Sequence, residues 1–304
     1  MRGFSTTTSW PGYVAAMAKR LGLLLGGGGS VGIAWENGVL AGLQDAIGFD
    51  PKAATIIVGT SAGSAVGADM ALGKDPHDAL AMDNDPTNPR LALGTPDLSQ
   101  GTFAEIIGLM MRPGPPSEER TAEIGRLAID ADTAMTDEEF LAMFRKTVGT
   151  DTWPDVDFRA TSSCCSTGQP VEWTKADGVE LSRAVASSCA VPGLFPTVPV
   201  GDERYMDGSR GKNYHCRIVE PLGLDAAVYI GPRIAVPGVS EMIEEDMAAI
   251  AATGVQVHTI LGSDRLNAAE LNLMDFSARP QAFEIGLADG AANAPMVAEL
   301  LGQT

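Results

Sequence analysis

The 304-residue chain is poor in the residues that mark several protein classes. Aromatics make up 6% of it, there are three histidines and four cysteines, and Lys and Arg total 21 against 39 Asp and Glu. The net charge of −18 repels phosphate backbones and excludes nucleic acid as a natural partner. It also disfavours electrostatic docking on anionic membranes. No apolar run approaches the roughly 18 residues that span a bilayer. The cysteines, Cys164, Cys165, Cys189 and Cys216, include no C-x-x-C pair. The adjacent Cys164 and Cys165 suit neither an ordinary disulfide nor a zinc knuckle, so reduced thiols in a cytoplasmic protein are expected. A signal peptide places its charge first and then a long apolar core. Here Lys19 and Arg20 precede only the short run Leu21–Leu25, which ends in glycine.

What the chain does have is aliphatic residue and glycine: 45% apolar overall, with 35 glycines. That is enough apolar surface for a packed core. No linker long or polar enough to divide the chain occurs, so 1–304 is expected to form a single domain with residues 1–19 as an N-terminal extension. Leu21–Leu25 reads as a buried strand ended by Gly26, and apolar residues return at helical spacing from Gly32 to Ala46. Thr55–Val58 reads as a second strand, broken at Gly59 and followed by a helix over Ser61–Leu72. This order, used twice, predicts an α/β fold with a mainly parallel sheet. Residues 82–150 differ. Prolines punctuate them and helical patterns fall over Phe103–Met111, Glu118–Ile129 and Asp137–Val148, which predicts a helical insertion. Ile106, Ile107, Leu109, Met110 and Met111 give it an apolar face suited to an acyl-chain lid or to covering the sheet. Strand character resumes at Asp157–Ser163, and Val171–Trp173 is expected to pair with it. Further strands are expected over Ala226–Ile230 and Val255–Leu261, with helices over Val179–Ser188, Glu241–Ala252 and Pro280–Leu301.

Three motifs carry chemistry. Gly59-Thr-Ser61-Ala-Gly63 fits G-x-S-x-G between a strand and a helix, the context of a nucleophile elbow, in which a tight turn presents the serine hydroxyl above the sheet. Gly26-Gly-Gly-Gly29-Ser-Val-Gly32 offers backbone N–H groups that can crowd an oxyanion. The same glycines match a dinucleotide fingerprint, but Asp50 does not end an apolar strand, and the next strand ends in the elbow. No Gly-Lys-Ser/Thr follows, which excludes a P-loop. The third is Asp207-Gly208, in isolation a hairpin turn but also a source of the carboxylate that a serine nucleophile needs. The histidines offer less. His77 falls in a surface turn and His258 within a strand, which leaves His215, eight residues past Asp207, as the one triad candidate.

Together the glycine loop, the elbow and the later Asp-Gly resemble the patatin-like phospholipase family. Gly32–Leu40 is similar to the helix after that family's glycine loop, and Ala186–Pro196 to the stretch before its Asp-Gly strand. The resemblance covers about 20–75 and 155–215. It implies a three-layer α/β/α fold with a mainly parallel central sheet, capped by the helical insertion. It also implies a serine lipid acyl hydrolase of phospholipase A, lysophospholipase or esterase type. Ser61 becomes the nucleophile and Asp207 its partner. Gly27, Gly28 and Gly29 supply the oxyanion amides, Gly59 and Gly63 flank the nucleophile, and Gly208 completes the Asp-Gly motif. The implied substrate is a lipid or acyl ester, met by transient contact with a membrane surface, without metal or cofactor. Oligomeric state is left open. An ordinary aspartate, with a pKa of about 3.9, is a weak base at neutral pH, so the pair requires burial or tight geometry. Two positions depart from the family pattern: Val31 stands where its loop often carries arginine, and Ser209 where Gly or Ala is usual. The alternative is a catalytically weak protein that binds lipid or a partner on the same fold.

Overall fold

Leu21–Leu25 (β1) and Ile56–Thr60 (β2) are buried at every position, the pattern of strands covered on both faces. The computed structural model describes residues 19–81, 101–112, 117–133, 135–210, 212–233, 239–269 and 271–303. The expected N-terminal extension, except Lys19, and the proline-rich stretch 82–100 lie outside the described residues. The remaining strands are Asp157–Cys164 (β3), Pro170–Trp173 (β4), Val198–Val200 (β5), Glu203–Asp207 (β6), Ala226–Gly231 (β7) and Gln256–Leu261 (β8). Among the described residues they form one sheet in the order β5-β6-β3-β2-β1-β7-β8, with β4 on the outer side of β3. The five strands β3-β2-β1-β7-β8 are parallel, and β4, β5 and β6 are antiparallel to their neighbours.

Strand side chains alternate between two cores, as period-two geometry requires. Leu21, Leu23, Leu25, Ile57, Phe158, Val228 and Ile230 face one core. It is covered by helices Gly29–Ile47 (α1), Ala62–Leu72 (α2), Asp137–Val148 (α5), Leu181–Ser188 (α6) and Arg279–Leu301 (α9). Leu24, Ile56, Val58, Ala227 and Tyr229 face the other, closed by helix Val239–Ala252 (α7) and the 3-10 stretch Lys212–Leu222. Helices Gly101–Met110 (α3) and Glu118–Ile129 (α4) build a third cluster on Cys165 and Met206, and a short helix, Asp264–Ala268 (α8), follows β8. The mixed sheet with helices on both sides agrees with the expected three-layer class. The apolar face expected on α3 is divided. Ile106 and Leu109 are buried in the third cluster, while Met111 is exposed.

Two strands were not legible in the residue patterning, β5 and β6, although the family resemblance implies a strand at the Asp-Gly motif, and β6 shapes the site. Ala160 of β3 pairs with Gly59 on one side and Trp173 on the other. Two residues on, Ser162 pairs with Val171 and with Asp207. Strand β6 therefore occupies the same side of β3 as β2 does and approaches it head-on, ending where β2 ends. Asp207 is its last residue. The chain then leaves as a 3-10 turn over Gly208–Arg210, not as a hairpin.

Helices α1 and α9 approach backbone to backbone. A Cβ at Gly38 would lie 2.2 Å from Phe283 O, one at Gly42 2.3 Å from Leu287 O, and one at Gly286 2.2 Å from Trp35 O. Trp35, fully buried in this seam, donates its indole N–H to Asp289 Oδ2 at 2.9 Å. Gly38→Val is expected to destabilise the fold by about 3 kcal/mol through overpacking, read as a lowered denaturant midpoint. Glu36, on the same helix, is fully buried, and neither carboxyl oxygen has a hydrogen-bond partner among the described residues. Burial pushes its pKa well above the usual carboxylate range. Because the folded state keeps a proton that the unfolded chain releases, the fold loses stability as pH rises from the unfolded value through the folded one. Glu36→Met should raise the unfolding midpoint more at pH 8 than at pH 5, and an equal effect at both would contradict this account.

Candidate active site

The elbow is assembled by close approach between glycines and backbone. Leu25 pairs with Gly59, so the loops after β1 and β2 leave the same edge of the sheet side by side. A Cβ at Gly59 would lie 2.3 Å from Gly63 O, and one at Gly63 2.3 Å from Leu25 O. Gly63 N–H donates to Gly26 O at 2.7 Å. Only glycine at both positions lets α2 start this close to β1 and β2. Between them Ser61 sits at φ 54°, ψ −118°, a left-handed φ that is uncommon for a side-chain-bearing residue. It is 7% exposed and lies immediately before the first turn of α2, at the positive end of the helix dipole.

The glycine loop begins where β1 ends. Gly26 N–H still bonds Ile230 O at 2.9 Å, and Gly32 N–H, bonded to Gly28 O at 2.8 Å, is an early helical donor of α1. The N–H groups of Gly27, Gly28 and Gly29 fall between, and none donates to a described residue. The turn needs a left-handed residue at Gly29, φ 62°. A Cβ at Gly32 would lie 3.3 Å from Ala62 Cβ, so the loop and the elbow pack directly. Val31 is fully buried in the main core, where a charged side chain would be unsolvated.

Ser61 and Asp207 are far apart in sequence, and one three-residue segment holds both. Ser188 Oγ accepts the Ser61 N–H at 2.9 Å. Cys189 Sγ donates to Ser61 O at 3.1 Å. Ala190 O accepts the Asp207 N–H at 3.0 Å. Asp207 is 1% exposed. Its Oδ1 accepts from Ser209 N at 2.8 Å and Ser209 Oγ at 2.5 Å, whereas Oδ2 has no partner among the described residues. One carboxylate oxygen is thus held and the other left as an open acceptor. Gly208 presses on β3, where a Cβ would lie 2.5 Å from Thr161 O. Thr161 Oγ1 in turn meets Thr60 Oγ1 at 2.7 Å, next to Ser61. Behind this, Trp173 Nε1 donates to Ser162 Oγ at 3.1 Å and Ser187 Oγ at 2.9 Å, and the two hydroxyls meet at 2.7 Å.

Ser188, Cys189, Ala190 and Ser209 had no role assigned from sequence. Small residues at the end of a core helix carry no chemical signature of their own. Of the histidines, His77 pairs with Asp45 on the surface and His258 of β8 bonds Asn293 of α9. His215 is buried, with φ 55° and Nε2 without a partner among the described residues. It bonds the Gly208 backbone, and burial pushes its pKa down to about 4, so it holds the far side of the Asp-Gly turn as a neutral ring.

A family model for patatin-like phospholipases matches residues 23–227. The chain belongs to the patatin-like phospholipase family. The matched span contains the glycine loop, the elbow and Asp207-Gly208, and the family is one of lipid acyl hydrolases. Similar solved structures include VipD from Legionella pneumophila, at 14% identity and TM-score 0.49, covering 94% of this chain and 67% of that one. The type III effector protein ExoU matches at 17% identity and TM-score 0.42, covering 91% and 53%. ExoU bound to SpcU, from the type III secretion system of Pseudomonas aeruginosa, matches at 18% and 0.37, covering 94% and 58%. The chain thus spans between half and two-thirds of the length of these proteins. No curated protein matches significantly. Among the described residues no helix is long and apolar enough to cross a membrane.

The buried ring of His215 yields a pH prediction within this patatin-like site. Its folded pKa is depressed below the unfolded value of about 6.5, so its contribution is complete above pH 6.5 and is lost as pH falls toward 4. In His215→Asn, which tolerates the left-handed backbone, the loss of unfolding free energy between pH 7 and pH 5 should shrink by about 2 kcal/mol. Denaturant titrations of both proteins at the two pH values measure it.

Proposed function

We propose that this patatin-like chain hydrolyses lipid acyl esters with Ser61 as nucleophile and Asp207 as its base. The observation that carries the reading is the shared anchor: consecutive residues Ser188, Cys189 and Ala190 bond Ser61 at its N–H and carbonyl and Asp207 at its N–H. Ser61 Oγ attacks the ester carbonyl carbon and Asp207 Oδ2 takes the hydroxyl proton. The oxygen that becomes negative is met by N–H groups of the Gly27–Gly29 loop, which need no reorganisation as charge develops. The tetrahedral intermediate collapses, and Asp207 returns the proton to the departing alcohol oxygen. Water then attacks the acyl-enzyme, giving its proton to Asp207, and the carboxylic acid leaves as Ser61 recovers its hydrogen. Ser209 aids by occupying Oδ1, which leaves the other oxygen to serve as base.

In α3 the fully buried Ile106 lies over the loop after α6, where a Cβ at Gly193 would be 2.8 Å from its Cδ1, so this part of the helix covers the core. Ser61→Ala is expected to abolish p-nitrophenyl ester hydrolysis and covalent labelling by a fluorophosphonate. Asp207→Asn should keep the fold, judged by circular dichroism, and reduce kcat by about 10³-fold or more. Wild-type turnover in either variant would exclude the pair.

A further inference from the structure

The segment between α8 and α9 lies outside residues 23–227, the span matched by the family, yet it presses on the glycine loop at several points. Leu273 O accepts the Val31 N–H at 3.1 Å. A Cβ at Gly29 would lie 2.5 Å from Leu273 O and 2.9 Å from Met274 Sδ. Arg279, 2% exposed, donates from Nη1 to Ser30 O at 3.1 Å and from Nη2 to Ala79 O at 3.0 Å. Its guanidinium lies 4.9 Å from the centre of the Phe276 ring, within cation–π range. The fork thus ties the loop's Ser30 to the 3-10 turn Pro76–Leu80 that follows α2.

Arg279 opens α9 and its head reaches the first turn of α1, and both helix starts carry partial positive charge, where a cation is disfavoured. A buried guanidinium also gives up its hydration. We infer that Arg279 is a positioning residue that fixes the Gly28-Gly29-Ser30 turn through the Ser30 carbonyl, with the Leu273 carbonyl as second anchor. The inference rests on the catalytic reading above, in which that turn presents the amides to the oxyanion. Glycines cannot lock such a turn themselves, since they have the freest backbone of any residue. Amides stabilise developing charge only when already aimed at it.

The test uses the full chain. Arg279→Gln should lower kcat for a p-nitrophenyl ester roughly a hundredfold, the scale of an ångström's misplacement, with KM changed less than about twofold. Hydrogen exchange of the 26–32 peptide should speed about tenfold or more while β7 stays protected. Arg279→Lys keeps the charge without the planar fork that bridges two carbonyls, and should lose about tenfold in kcat. It decides the matter if the Gln variant does not fold. Wild-type kcat and wild-type exchange in a folded variant overturn the inference. An unmodified chain that neither turns over esters nor labels at Ser61 overturns the catalytic reading instead, and the exchange measurement then decides the brace by itself.

Discussion

The site depends on the meeting of two strand ends. Strand β2 stops at Thr60 and β6, running the opposite way along the same side of β3, stops at Asp207. Neither end has a ladder partner beyond it, and buried backbone groups left over in this way must be satisfied elsewhere. The Ser188–Ala190 segment satisfies them. It does so with small side chains, a hydroxyl and a thiol, and with one carbonyl. Larger residues could not enter the gap between two abutting strands, and apolar ones would leave the Ser61 N–H unpaired at a cost of about 1–3 kcal/mol. A strained serine and a buried carboxylate are stable at this junction because the same three residues hold both.

A second constraint is the absence of side chains. Gly59 and Gly63 allow α2 to begin against the ends of two strands, and beside them runs the loop in which the Gly27, Gly28 and Gly29 amides donate to none of the described residues. In the proposed reading these amides meet developing charge in a low-dielectric environment, where electrostatic stabilisation is strongest. The same device recurs away from the site. The α1–α9 seam is glycine against backbone, and it fixes α9, whose first residue reaches back to the loop. The C-terminal helix is thereby mechanically continuous with the proposed oxyanion site.

Much of the fold was legible. Periodicity and glycine punctuation located β1 to β3, β7, β8 and most of the helices to within a few residues, because these elements are long or largely apolar, and short β4 was placed by its position across a turn from β3. Strands β5 and β6 escaped because Val198–Val200 and Glu203–Asp207 are short, half-buried and interrupted by proline or charge. Asp207-Gly208 reads locally as a hairpin turn. Its actual course, a strand end followed by a 3-10 turn, is set by β3 on one side and His215 on the other. The anchor Ser188-Cys189-Ala190 was visible only as part of a family-like stretch, since hydroxyl and thiol side chains of this size occur in many cores without function.

The sequence by itself determined the α/β class, the elbow around Ser61 and the amide-rich loop, because strain relief and close backbone approach are written locally in glycine spacing. Tertiary structure alone decided which segment anchors both Ser61 and Asp207, which oxygen of that carboxylate has no partner among the described residues, and that helix α9 reaches back to the loop near the chain's beginning. Those outcomes depend on strand order and on contacts between residues more than a hundred positions apart, and no local pattern of side chains encodes them.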